Sequence, residues 1–165
     1  MILPGLRLET FFPPEEYERR HRAVRSVMQE RSLDVLLCTT PENVFYLTGY
    51  QTFAYSAYQA LVFPLEGEPF LVLRYLESLL AERYSVVREV IAWEDEQDPV
   101  AVTIDALRGR CLAELRIGYE ERTSLQPVTV WRKLVSALPQ LGDASGTVER
   151  ARAVKSAPGL AFMGE

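Results

Sequence analysis

The segment Thr39–Phe63, TTPENVFYLTGYQTFAYSAYQALVF, restricts the fold more than any other part of the chain. Pro41 stands where a helix starts, because its missing N–H would have been an unpaired donor of the first turn, and Gly49 stands where the left-handed conformation ends one. Thr40 is placed to accept, through its side chain, from the free amides of that turn. A short helix followed by an irregular loop is therefore predicted, and together they carry Phe45, Tyr46, Tyr50, Phe53, Tyr55 and Tyr58. Phe45, Tyr46 and Tyr50 fall at helical or post-helical positions and read as core. Phe53, Tyr55 and Tyr58 sit among small polar residues, where a loop runs over the surface, so an interface or ligand wall is as good a reading for them as a core.

On either side of this segment, helical and strand patterns alternate. After Pro13 and Pro14, the residues Tyr17, His21, Val24, Val27 and Met28 follow helical spacing, with acidic residues at the front of the helix. DVLLC, Asp34 to Cys38, is a short continuous apolar run of the kind found in a buried strand. QALVFP and PFLVLR read as a hairpin turning through Leu65, Glu66, Gly67 and Glu68. Tyr75 to Tyr84 holds good helix formers, and SVVREVIAW reads as a strand ending near Trp93. Asp98 and Pro99 then start a helix whose buried face is predicted to be Val100, Ile104, Leu107, Cys111 and Leu115. RIGYE is a short strand, and Pro127 to Leu138 reads as a helix buried through Val130, Leu134, Val135 and Leu138. A weak strand or turn follows around Leu141 to Val148. The fold class is thus α/β, a mixed sheet flanked by helices with at least one antiparallel hairpin.

A chain of 165 residues is one domain by length and buries roughly 70% of its unfolded surface, so no metal or disulfide is needed to hold it. Cys38 and Cys111 both lie in apolar runs and read as buried free thiols, which fits a reducing, cytoplasmic setting. The start of the chain lacks a basic stretch followed by an apolar core, so no signal peptide is expected, and no run approaches the ~18 apolar residues of a membrane span. The net charge of −5 disfavours a nucleic-acid surface. From Glu149 the sequence ERARAVKSAPGLAFMGE is basic, then broken by Pro and Gly, and reads as a linker from 151 onward. Leu160, Phe162 and Met163 then look unpacked, which predicts that more chain follows.

Chemistry-bearing motifs are scarce. The single histidine, His21, lies on the apolar stripe of the first helix with no acid or nucleophile arranged beside it, and reads as a packed or capping residue. HExxH, CxxC, the glycine-rich phosphate loops and GxSxG are all missing from the sequence. Glu94, Asp95, Glu96 and Asp98 offer oxygen ligands, but Pro99 marks them as the start of a helix, where the dipole favours acids. Arg150, Arg152 and Lys155 read as a solvated linker. No catalytic or metal-ligating residue is assigned.

One resemblance remains. LDVLLCTTPENVFYLTGY, the hairpin LVFPLEGEP and the closing ERARAVKSAPG are similar to the N-terminal domain of the creatinase and Xaa-Pro aminopeptidase (prolidase) family, over nearly the whole chain. The most specific matches are Pro41–Val44, Tyr46–Tyr50 and Arg152–Ser156. The resemblance implies an α/β domain over 1–150 with a ribonuclease H-like motif, then a linker and the start of a catalytic domain over 151–165. In that family the catalytic domain of the peptidases holds two divalent metals, manganese, cobalt or zinc, through two Asp, one His and two Glu. This chain carries none of those ligands and is expected to be inactive alone. The N-terminal domain of the family supports a homodimer and lends its post-TGY loop to the partner's active site, so Phe53, Tyr55 and Tyr58 would line the substrate pocket in trans. The arginine of the creatinase loop is missing after Tyr55, which disfavours creatine, and TGYQTFAYSAYQ with its closing Gln59 is closer to the ectoine-hydrolase-like branch. Ala157-Pro158-Gly159 departs from the Pro and Glu that relatives place after Lys-Ser.

Two functions follow. In the first, the parent protein is a metal-dependent C–N hydrolase, of the metallo-aminopeptidase, Xaa-Pro dipeptidase or amidinohydrolase type, acting on a small peptide or amide-like substrate through metal-activated hydroxide. This domain then shapes its pocket and dimer. In the second, the chain is a stand-alone binding domain that holds a small molecule or partner on its aromatic loop.

Overall fold

The apolar runs become strands covered by helices on both faces, which explains why they show no alternation with polar residues. The structure, a computed structural model, describes residues 10–123 and 125–163, apart from the Met163 side chain. The segment in which no signal peptide is read lies largely outside the described residues. Elements run α1 (Pro14–Glu30), β1 (Val35–Cys38), α2 (Pro41–Thr48), β2 (Ala60–Pro64), β3 (Phe70–Arg74), α3 (Tyr75–Tyr84) and β4 (Glu89–Trp93). They continue with α4 (Pro99–Gly109), β5 (Ile117–Tyr119), α5 (Val128–Ala137), β6 (Leu141–Asp143), α6 (Thr147–Ala153) and α7 (Ala157–Met163).

The sheet is mixed, in the order β4-β3-β2-β1-β5-β6. β1 pairs antiparallel with β2, and β2 with β3, while β3–β4, β1–β5 and β5–β6 are parallel. The period of two splits each central strand between two cores. Val35, Leu37, Ala60, Val62, Phe70 and Val72 meet Val100, Ile104 and Leu107 of α4 and Val130 and Leu134 of α5. Leu36, Cys38, Leu61, Phe63, Leu71 and Leu73 meet Val24 and Met28 of α1, Val44 and Leu47 of α2 and Ala81 of α3.

Several expectations change. α4 ends at Gly109, and Cys111 takes a left-handed φ of 57° with its amide bonded to the Arg108 carbonyl, so the predicted helical stripe is broken. Cys111 is consequently exposed, as is Leu115, while Cys38 is fully buried. On α5, Val135 faces outward, and Val130, Leu134 and Leu138 supply the buried face. Thr40 is the N-cap of α2, but its side chain makes no capping bond. The basic residues after Glu149 are partnered: Arg150 and Arg152 lie on α6, and Lys155 lies in the short non-helical stretch before α7. Arg150 pairs with Glu30 at 2.7 Å, Arg152 donates to Asn43 Oδ1 at 2.6 Å, and Lys155 donates to the Arg152 carbonyl at 2.5 Å. Leu160 is exposed, whereas the half-exposed Phe162 ring packs at 5.1 Å from Phe12 and 6.2 Å from Phe11.

Candidate functional site

α2 is held at both ends by groups distant in sequence. At its N-terminus, the buried Glu120 carboxylate, one residue past β5, accepts from the Thr39 and Thr40 amides at 2.8 Å each and from Asn43 Nδ2 at 2.5 Å. This carboxylate serves the two amides that lead into α2, where its negative charge suits a helix N-terminus, and the Asn43 amide, which a Thr40 side-chain cap would have served, donates to the Thr40 carbonyl at 3.0 Å. Asn43 Nδ2 also donates to Glu149 Oε1 at 2.8 Å, so β5, α2 and α6 meet at one fully buried amide. Burial pushes the Glu120 pKa up, and the bonds from Thr40, Asn43 and Thr39 oppose that shift.

At the other end, Gly49 adopts φ +77°, its amide donating to the Phe45 carbonyl at 2.8 Å. A Cβ there would lie 2.6 Å from the Tyr17 hydroxyl and 3.0 Å from the Tyr84 carbonyl, so both backbone angle and space require glycine. His21 Nε2 lies 2.7 Å from the Leu47 carbonyl in the last turn, where only the N–H form of that nitrogen makes a bond. The imidazole packs against Phe63, and burial lowers its pKa, with the bond to Leu47 acting in the opposite sense. His21 is thus a packed residue that ties α1 to the end of α2.

The aromatic loop that follows is fixed at its root and open at its tip. Tyr50 is buried and donates to Glu77 Oε2 at 2.7 Å, and the buried Thr52 hydroxyl donates to the same oxygen at 2.7 Å. Phe53 is 82% exposed and Tyr55 49%, so the structure presents both outward. Tyr58 differs from expectation. It is 6% exposed, packs in the core beneath α4 and shares a 3.0 Å hydrogen bond with Thr103, because the chain has already turned toward β2. Two of the three predicted pocket residues therefore share the surface and the third does not.

Beside Tyr55 a shallow cleft of about 90 Å³ runs to the start of α2, lined by Pro41, Glu42, Phe45, Gln51 and Thr52. A second depression of about 190 Å³ lies between α1, α2 and α7. In its wall the buried Arg20 guanidinium stacks over Phe12 at 4.0 Å and Tyr46 at 4.6 Å and bonds Glu16 at 2.8 Å. Ser156 donates to that Glu16 at 2.8 Å, which links α7 to α1. The hydrogen bond from Arg19, stronger than the opposing effect of burial, holds the Glu16 pKa at about 2.

Metal-ligating groups do not converge. Among the described residues no three His, Cys, Asp or Glu side chains come together in a way that could hold an ion. Asp98 caps α4 by accepting from the Val100 amide at 3.0 Å, the helix-start role expected of the acidic run, while Asp95 pairs with Arg74 at the end of β3. Glu120, Asn43 and Glu77 carry no role in the sequence reading. Glu120 had a signal, a carboxylate directly after a short buried strand, where a parallel sheet places its loops against helix N-termini.

With this geometry in hand, the comparison with known sequences is decisive: the family model of the Creatinase/Prolidase N-terminal domain matches residues 20–154. The chain belongs to this family. Among its relatives, the ectoine hydrolase of Halomonas elongata is 28% identical over 163 residues, which is 92% of this chain and 41% of that protein. The dipeptidase PepE of Mycobacterium ulcerans superposes with a TM-score of 0.69 at 27% identity, over 88% of this chain and 39% of that one. An Xaa-Pro aminopeptidase structure from Streptococcus pyogenes shares the fold, with a TM-score of 0.68 at 22% identity, over 85% of this chain and 100% of that one. This creatinase/prolidase N-terminal domain thus spans about two fifths of the length of the hydrolase and the dipeptidase it matches. No helix among the described residues is long and apolar enough to cross a membrane.

Proposed function

We propose that this domain serves a larger metal-dependent C–N hydrolase as its non-catalytic N-terminal part, supporting a homodimer and presenting Phe53 and Tyr55 to the substrate pocket of the partner subunit. The observation that carries the reading is the pairing of a pinned loop root with two outward rings: Tyr50 and Thr52 are buried and bonded, while Phe53 is 82% exposed. Exposed aromatic area on an ordered loop has low entropic cost to bury against a ligand or partner. The likeness to an ectoine hydrolase and a dipeptidase supports a small amide or peptide substrate. Glu42 is the charged side chain lining the cleft beside Tyr55, so this domain would meet an apolar or cationic part of the substrate rather than a free carboxylate.

Among the described residues, Glu120 is already bonded by two amides and Asn43, and His21 by Leu47. A divalent metal would be held by the catalytic domain alone. The setting proposed is cytoplasmic, in keeping with the free thiols of Cys38 and Cys111.

The test is Tyr55→Ala in the full-length protein, assayed with ectoine and with Ala-Pro. The expected result is a fall in kcat/KM on the order of tenfold, equivalent to ~1.4 kcal/mol, at unchanged metal content. Mixing Tyr55→Ala subunits with subunits lacking a catalytic metal ligand should restore activity, because each heterodimer keeps one intact pocket. Unaltered kinetics on every substrate that is turned over would remove the pocket role and leave the loop as a binding surface of this domain.

A further inference from the structure

We infer that Glu77, on the first turn of α3, is the positioning residue that sets the shape in which the aromatic loop presents Phe53 and Tyr55. This inference rests on the pocket reading above only for its kinetic consequence. Its structural basis is independent.

A carboxylate accepts hydrogen bonds and donates none. Glu77 Oε2 lies 2.7 Å from the Tyr50 hydroxyl and 2.7 Å from Thr52 Oγ1, so both hydroxyl protons point toward it. With its proton committed, the Thr52 oxygen is left as an acceptor, and the Ala54 amide donates to it at 2.9 Å. The Ala57 amide then donates to the Ala54 carbonyl at 2.9 Å, closing the turn over Tyr55 and Ser56. One acceptor-only group thus orients both hydroxyls at the loop root and fixes Thr52 Oγ1 where the Ala54 amide reaches it. Tyr50 is 1% exposed and Thr52 4%, so neither hydroxyl can exchange Glu77 for water without opening the loop root. Phe53 lies between Thr52 and Ala54, and Tyr55 directly after them, inside the segment so fixed. Burial also raises the Tyr50 pKa, with Glu77 reinforcing the shift, so this phenol remains a donor at neutral pH.

A residue that only stabilised the domain would affect all elements alike, whereas a loop anchor acts locally. The experiment compares Glu77→Ala, Glu77→Gln and Thr52→Val with the parent in the full-length protein, by amide hydrogen exchange and by kinetics on ectoine and Ala-Pro. In Glu77→Ala, exchange at Ala54 and Ala57 is expected to quicken by about tenfold or more, the effect of losing one net hydrogen bond, while β1 and β2 amides are unchanged. KM is expected to rise more than kcat falls. Thr52→Val should reproduce the Ala54 effect with the Tyr50 bond intact, and Glu77→Gln, whose amide oxygen can accept both hydroxyls, should restore most of the protection. Quickened exchange with unaltered KM supports Glu77 as the loop anchor and overturns the pocket reading instead. Unchanged exchange at Ala54 and Ala57 in both Glu77→Ala and Thr52→Val, or quickening equal to that of β1 and β2, overturns the inference.

Discussion

Replacing Asn43 by alanine tests whether the junction of β5, α2 and α6 holds this domain together. Asn43 is fully buried and makes three bonds, to Glu120 at 2.5 Å, to Glu149 at 2.8 Å and from Arg152 at 2.6 Å. A hydrogen bond to a charged group contributes ~1.5–3 kcal/mol, and Glu120, 4% exposed, would be left with an unserved oxygen that water cannot reach. The bonds to Glu149 and Arg152 lie nearer solvent and add less. The expected loss is about 3 kcal/mol, or about 6–12 °C in Tm at ~2–4 °C per kcal/mol for a chain of this size. Asn43→Asp sharpens the test, because it keeps the shape and adds a third carboxylate beside Glu120 and Glu149. Like charges at about 3 Å repel by ~5 kcal/mol at an effective dielectric of about 20, so the site takes up a proton instead. Its folded pKa values are then raised, and stability declines as pH rises from the unfolded carboxylate range into the neutral range and returns on acidification. Urea unfolding followed through Trp93 and Trp131 fluorescence measures both variants. A loss under about 0.5 kcal/mol for Asn43→Ala, or Asn43→Asp no worse than Asn43→Ala at pH 7, would refute the argument.

Two further outcomes are expected. Gly49→Ala should cost ~2–3 kcal/mol in a thermal melt, from a left-handed backbone at φ +77° combined with a Cβ 2.6 Å from the Tyr17 hydroxyl; a loss below about 1 kcal/mol would mean that α1 shifts freely away from α2. Glu16 has its pKa lowered from 4.5 to about 2, so its contribution is fully present above 4.5 and is lost as pH falls toward 2; Glu16→Gln should flatten that part of the acid-unfolding profile, and an unchanged profile would count against the Arg19–Glu16–Ser156 link.

Where the sequence was legible, the responsible interactions were local. Helix α3 spans Tyr75–Tyr84 as its helix formers suggest, and the β2–β3 hairpin turns through Gly67 at φ 99°. Gly49 ends α2 in the left-handed conformation that its position implied. Illegible features depended on contacts between distant segments. The Thr40 side chain makes no cap: the Asn43 amide goes to the Thr40 carbonyl instead, and the turn is tied down by a carboxylate 80 positions away, Glu120, which accepts from the Thr40 amide. Cys111 escapes the predicted stripe because α4 stops at Gly109, two residues short of it, which hydrophobic spacing cannot foresee. Tyr58 reads as a loop aromatic, yet it lies just before β2, where the chain has turned under α4, and its ring is buried in the core with its hydroxyl on Thr103. Glu77 gave no signal at all, since a glutamate on the first turn of a helix is ordinarily explained by the dipole.

The segment that identifies the family is therefore a set of anchors more than a set of contact residues. Asn43 joins α2 to α6 and β5, Thr48 receives the Val86 amide at 2.8 Å through its carbonyl, Gly49 allows Tyr17 to close in, and Tyr50 reaches Glu77. All four are buried. Substituting them would act first on stability, because each loses partners that water cannot replace. Phe53 and Tyr55 invert this pattern: they are exposed, and their rings are free to serve a ligand or partner without cost to the fold. On the proposed pocket reading, binding preference and stability fall on adjacent but separate residues. Changes at positions 53 and 55 would then alter which substrate the loop meets while its root, fixed from α2 and α3, keeps the same shape.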